Sequence, residues 1–170
     1  MHPTVSNIGA YITAELALDS TSVGAGLGGS GTAVNGNAYD RFLYNPQHLS
    51  GKLMLGVKAT LASGNTLAVA VEWQDSANGS SWATYGTNLG QTYPGTNASG
   101  TQTITANNAG GVKRDVLEFP VNLLGARRHV RAVVRPTLSA SGVDTAVVCG
   151  VLVLGGGETR PEDVHTDAPQ

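Results

Sequence analysis

Apolar and polar side chains alternate strictly along much of this chain. A β-strand turns successive side chains to opposite faces, so a period of two marks strands with one face in a core. In residues 52–61, Leu53, Leu55, Val57 and Leu61 share one face, and Lys52, Lys58 and Thr60 share the other. After Ala62-Ser63-Gly64-Asn65, Leu67, Val69, Val71 and Trp73 alternate with Thr66, Glu72 and Gln74. Two such runs around a short Gly/Asn loop predict an antiparallel hairpin. Tyr11 to Leu18 forms a further run, with Ile12, Leu16 and Leu18 inward. Residues 101–106 and 112–123 add two strands, and Pro120 makes the second an edge or bulged strand because proline lacks an N–H. Over 128–135, arginine and histidine alternate with Val and Ala. Residues 145–154 are apolar on both faces, which predicts a central or oligomer-facing strand. The expected core is Leu53, Leu55, Val57, Val69, Val71, Trp73, Val130 and Val134.

No segment sustains the i, i+3, i+4, i+7 apolar pattern, so almost no helix is expected. About eight short strands separated by turn residues predict an all-β fold, an antiparallel β-sandwich of jelly-roll type. Three stretches stand apart. Residues 1–8 read as a flexible N-terminal arm, and 158–170 as an acidic flexible tail. Between them, residues 9–157 form one sandwich domain with a glycine-rich loop at 20–37. Glycine loses the most backbone freedom on folding, so that loop and the arm are expected to order only on a partner.

Composition narrows the function. The 170 residues include 23 glycines, 13% charged and 5% aromatic residues, and carry a net charge of -2. Charged residues at about half the usual quarter exclude a coiled coil and charge-rich disorder. The slight negative balance argues against nucleic acid as a partner. No apolar run approaches the ~20 residues that span a bilayer, so no membrane partner is expected, and no basic-then-apolar leader suggests export. Cys149 is the single cysteine, which excludes an internal disulfide and a multi-cysteine zinc site; its apolar strand suggests a buried structural thiol. His2, His48, His129 and His165 lack neighbours at metal-ligand spacing and read as surface histidines. No Gly-x-Ser-x-Gly elbow occurs, and Gly24 to Gly29 lacks the helix a dinucleotide loop requires. Neither a catalytic constellation nor a cofactor site is expected.

Six of the ten basic residues fall between 113 and 135, and His129, Arg131 and Arg135 alternate onto one face. Arginine forks pair bidentately with carboxylates, so Arg127, Arg128, Arg131 and Arg135 are candidate docking residues for an acidic protein partner. The stretch Glu72 to Trp82 reads as an exposed turn, with Asn78-Gly79 at its tip, Asp75 as its cap and Trp82 returning to the core.

The strand and turn of Val69 to Trp82, the Ala126-Arg127-Arg128-His129-Val130-Arg131 strand and the run from Val147 to Gly157 resemble small virion proteins of tailed bacteriophages. These are capsid decoration, or cement, proteins with jelly-roll-like β-sandwich folds, and the resemblance spans roughly residues 10–157. It implies a non-enzymatic structural protein on the outer surface of a capsid, stabilising the shell through the major capsid protein. The implied location is the virion exterior, after assembly in the host cytoplasm. The doubly apolar strand 145–154 adds the expectation of a homo-oligomer, a trimer before a dimer. The Gln74-Asp75-Ser76-x-Asn78-Gly79-x-x-Trp82 hairpin and the Arg128-x-Val130-Arg131 strand are also similar to discoidin-type jelly rolls. That likeness implies a carbohydrate- or receptor-binding module, with Trp82, Tyr85 and Tyr93 as candidate ring platforms. Discoidin-type turns are usually Asp-Gly, and a disulfide often ties their termini, which this chain cannot form.

Overall fold

The computed structural model describes residues 12–25, 29–43, 48–85 and 100–155. The arm 1–8, the tail 158–170 and Tyr93 lie outside the described residues. Among those described, every regular element is a strand and all pairings are antiparallel. The first sheet runs β1 (Thr13–Gly24), β10 (Thr145–Gly155), β4 (Ser50–Leu61), β8 (Gly111–Asn122). In the second, β9 (His129–Leu138) and β5 (Thr66–Ser76) lie side by side at the centre. Short β2 (Val34–Asn35) and β3 (Tyr39–Asp40) both pair with β9, while β6 (Ala83–Thr84) and β7 (Gly100–Thr105) share the far side of β5. Counting β2 with β3 and β6 with β7 as interrupted strands gives two four-stranded sheets. The sequence wraps back and forth between them, which is a jelly roll.

One expectation fails in an instructive way. The strands flanking Ala62–Asn65 do not form a hairpin, because β4 belongs to the first sheet and β5 to the second. Both carry one apolar face, and the turn directs those faces toward each other across the core. Leu53, Leu55, Leu67 and Val69 are fully buried between the sheets, and so are the other five predicted core residues or nearly so, Trp73 at 2% exposure among them. Period two cannot separate this arch from a hairpin, since both give the same alternation.

β1 departs from simple alternation too. Its ladder with β10 slips between Leu16 and Leu18, and again before Thr21. Such bulges swap the faces of a strand. Ala17 and Leu18 are therefore both buried, while Ile12 and Leu16 turn to solvent rather than inward. Residues 20–24, assigned from sequence to the glycine-rich loop, continue β1, and Val23 is fully buried.

Every passage between the sheets leaves main-chain groups outside the ladders, and buried groups of that kind must find partners. At one end Ala25 and the crossings 62–65, 106–110 and 139–144 meet. Asp144, buried to 1% exposure, accepts the Ala62 N–H at 2.8 Å and the Asn65 side-chain amide at 2.9 Å. Asn65 O in turn accepts Ala106 N, and Ser141 O accepts Ala25 N. At the other end Arg41, also buried, donates through Nη1 to Ala126 O, and the Tyr85 hydroxyl donates to Leu124 O. Along one side, Gly36 N donates to Ala132 O and Asn37 N to Ala17 O, stitching β9 to β1. A side chain at 36 would lie 2.4 Å from Ala17 O and 2.7 Å from Ala132 O, so only glycine fits there.

Asp144→Ala is expected to lower the unfolding free energy by about 2–4 kcal/mol, since it strands a buried N–H and an amide. Urea denaturation of the two proteins checks this, and a change below about 0.5 kcal/mol would refute the role given to Asp144.

Candidate functional site

The four candidate arginines lie on or beside β9, whose even-numbered residues Val130, Ala132 and Val134 enter the core. The odd-numbered residues His129, Arg131 and Arg135 therefore reach the outer face of the second sheet, as their spacing predicts. There β9 lies against β5 in the register Gln74↔Arg131, Glu72↔Val133 and Ala70↔Arg135. Both Arg131 Nε and Nη2 donate to Gln74 Oε1, at 3.0 and 2.8 Å. The Gln74 amide passes the chain on to Glu72 Oε1 at 3.0 Å, which also accepts the Thr84 hydroxyl at 2.8 Å. These two donors hold the Glu72 carboxyl below its usual range, with a smaller contribution from the Arg135 charge.

Trp82 completes this surface. β6 pairs with β5 so that Ala83 faces Asp75 and Thr84 faces Gln74, which turns Trp82 outward with Gln74. Its indole is half-buried and lies under the Arg131 guanidinium, 4.2 Å from the ring centroid. Trp82 thus leaves the core to Trp73, contrary to the sequence expectation. The turn before it is organised by different residues than expected. Ser76 Oγ accepts the N–H groups of Asn78 and Gly79, and Asn78 Oδ1 accepts those of Ser80 and Ser81. Gly79 carries the positive φ of 75°. Asp75 points inward instead, where its carboxylate accepts Arg127 N at 3.0 Å.

The remaining arginines divide. Arg128 forks onto Asp40, with Nε at 3.0 Å and Nη2 at 2.7 Å from Oδ2. That guanidinium holds the Asp40 carboxyl down at about 2. The half-exposed side chain of Arg127 stands 3.9 Å from Asp75. Arg135 is exposed and makes no hydrogen bond or ion pair among the described residues. Three of the four candidates are therefore engaged within their own subunit, and Arg135 offers its donors outward. Gln74, Glu72 and Thr84, which organise the face, gave no sequence signal beyond polar alternation; only the β5–β9 register brings them to Arg131.

No family model matches the chain, and no curated protein sequence does. Among solved structures, a matching chain is described as "Structure of infectious bursal disease virus Gx strain". The alignment covers 88% of this chain and 34% of that one, at 11% identity and a TM-score of 0.38. This chain thus spans a third of that chain's length.

The outer face of the first sheet is of opposite character. Leu16, Val151, Met54 and Val116 stand on four neighbouring strands, and Leu16 and Val116 are 58% and 53% exposed. Cys149 opens onto the same face, exposed rather than buried, because β10 sends Val148 and Gly150 inward. Charge enters through Lys58, Arg114 and the Lys52–Glu118 pair at 2.8 Å.

Two histidine expectations are settled differently. His129 is half-buried beside Gly79, but His48 is not a surface residue: it is nearly buried, with Nδ1 2.7 Å from the Tyr39 hydroxyl. Among the described residues no group of three or more His, Cys, Asp or Glu is placed to hold a metal ion.

Desolvation pushes the His48 pKa below its ordinary 6.5. The unfolded chain then binds this proton more readily than the folded one. Stability is expected to be full above pH 6.5 and to fall as the pH drops below that value, until the folded ring also titrates. Replacing His48 by Gln should flatten this slope, measured by urea denaturation between about pH 7.5 and pH 5. Arg131→Ala should cost about 1–2 kcal/mol through loss of the fork and the stacked ring. Arg135→Ala should leave stability within about 0.5 kcal/mol of the parent, and thermal unfolding of both variants checks the contrast.

Proposed function

We propose that this chain is a virion structural protein that binds the outer surface of a capsid and stabilises the shell. The observation that carries the reading is the apolar outer face of the first sheet, where Leu16, Val151 and Val116 stay open to solvent on a sandwich whose core is already complete. Large open apolar patches mark surfaces that other proteins cover. The jelly roll itself recurs in viral capsid and lectin domains, so the fold suits this role without selecting it.

The docking partner in this reading is the major capsid protein. The apolar side chains supply contact area beside the charges of Lys58, Arg114 and the Lys52–Glu118 pair, and Arg135 on the opposite face offers an unpaired fork to a carboxylate. Repetition over a lattice would turn modest single contacts into large collective stabilisation. The discoidin-type alternative gains no support from Tyr85 and Trp82, the two of its candidate rings among the described residues. Tyr85 lies in the core and one face of Trp82 is already occupied by Arg131.

The test compares capsid particles with and without the protein, heated in parallel. Particles carrying it should survive to higher temperature. Arg135→Ala should lower occupancy, and added salt should weaken the remaining binding, as for exposed charge contacts. Equal survival of both particle types, together with retention of the isolated chain on a glycan array, would overturn the proposal in favour of a sugar-binding module.

A further inference from the structure

The twelve-residue strand β8 is the last of the first sheet, and its main-chain polarity is fixed by three hydrogen bonds. Leu123 N donates to Leu49 O, continuing the ladder toward β4. Val116 N and Glu118 O point the other way, to the Asp115 carboxylate and the Gln102 side chain. Main-chain groups alternate sides along a strand. Odd-numbered residues of β8 therefore bond to β4, and even-numbered ones face away from the sheet. Pro120 falls in the second set, so its missing N–H costs no ladder bond. The main-chain groups of Val112, Arg114 and Val116 have no main-chain partner among the described residues. A bare edge of this length is a template for another strand.

The side chains along this edge select the strand. A two-fold axis through Lys113 or Asp115 would set each against its own copy, like charge against like. An axis through Arg114 would line up two arginines beside Lys58, which lies directly across from Arg114 in β4. Centring on Leu117 sets Arg114 against Pro120 and Val116 against Glu118. Centring on Val116 sets valine against valine and Arg114 against Glu118 of the second copy, twice by symmetry. Cross-strand opposite charges stabilise a sheet and like charges oppose it.

We propose that two copies of this chain pair antiparallel along β8, with Val116 on the two-fold axis and Arg114 of each copy facing Glu118 of the other. The two first sheets join into one, and Val116, Met54 and Val151 of both copies lie on a single continuous outer face. Asp115 releases Val116 N to the second copy. Glu118 O receives Arg114 N of that copy on its second lone pair or in place of Gln102. Pairing stops at Pro120, which has no proton to give. This edge builds a two-fold pair, not the trimer expected from the sequence. The inference does not rest on the virion reading, since the pair forms or fails to form whatever surface the chain binds.

Sedimentation of the full chain from about 1 to 200 µM tests it, as a strand-edge interface of modest area is expected to associate near the micromolar range. A monomer–dimer equilibrium should appear. Arg114→Glu should raise the dissociation constant at least about tenfold, and adding Glu118→Arg should restore it to within about threefold of the parent. Val116→Pro removes an N–H that no strand of its own subunit uses, so it should abolish the dimer with the far-ultraviolet circular dichroism unchanged. Should that variant misfold, the charge exchange decides alone. A monomer at every concentration, a trimer, or a dimer indifferent to Arg114→Glu would overturn the proposal.

Discussion

A jelly roll must pass its chain repeatedly from one sheet to the other, and each passage takes main-chain groups out of the ladders. The structure meets this constraint with buried charges at both ends, Asp144 at one and Arg41 with Asp75 at the other. Asp144 gathers the 62–65 arch to its own 139–144 crossing, and the neighbouring crossings attach to that pair through Asn65 and Ser141. Arg41 does the same for the 123–128 crossing from the opposite end, donating to the carbonyls of Ala126 and Arg127. A carboxylate accepts and a guanidinium donates. At the Arg41 end the inward Asp75 carboxylate also takes the Arg127 N–H of the same crossing, so an acceptor stands beside the donor there.

The sides of the sandwich are closed by a different means. Gly36 slips between two carbonyls so that one short segment bonds to β9 and β1 together, and Gln102 reaches from β7 to the Glu118 carbonyl of β8. The first contact leaves no room for a side chain and closes that side tightly. The second is a single side-chain bond, and among the described residues no strand pairs with β8 beyond it. One side is thus closed by main-chain bonds and the other by a side chain. The bulges in β1 serve the first of these sides, since they bring both Ala17 and Leu18 inward where the segment 36–37 arrives.

The two outer faces differ in how much of their chemistry is already used. On the second sheet, Arg131, Gln74, Glu72, Thr84 and Trp82 satisfy one another, and Arg128 is neutralised by Asp40. A basic stripe in sequence thus becomes a largely self-paired surface with Arg135 at its free end. On the first sheet the apolar side chains have no such internal partners. The open apolar side chains thus lie on the face that alternation left inconspicuous, not on the one that carries the basic stripe.

Period two by itself determined that the described elements are strands, that Leu53, Leu55, Val57, Val69, Val71, Trp73, Val130 and Val134 enter the core and that Arg131 and Arg135 share a face. These properties depend on which side of its own strand a residue occupies, and that is local. The sequence did not determine which strands lie side by side. The arch at Ala62–Asn65 reads the same as a hairpin, the bulges of β1 reverse Leu16 without any break in pattern, and Cys149 and Trp82 fall on solvent faces because of the sheet they join. The partners of Arg128, Arg131, Asp144 and Arg41 were likewise invisible, since each stands at least 57 residues away in sequence from at least one group it binds. Only tertiary pairing sets those contacts, because a side-chain hydrogen bond requires its partner within about 3 Å, and no local pattern encodes such proximity between distant segments.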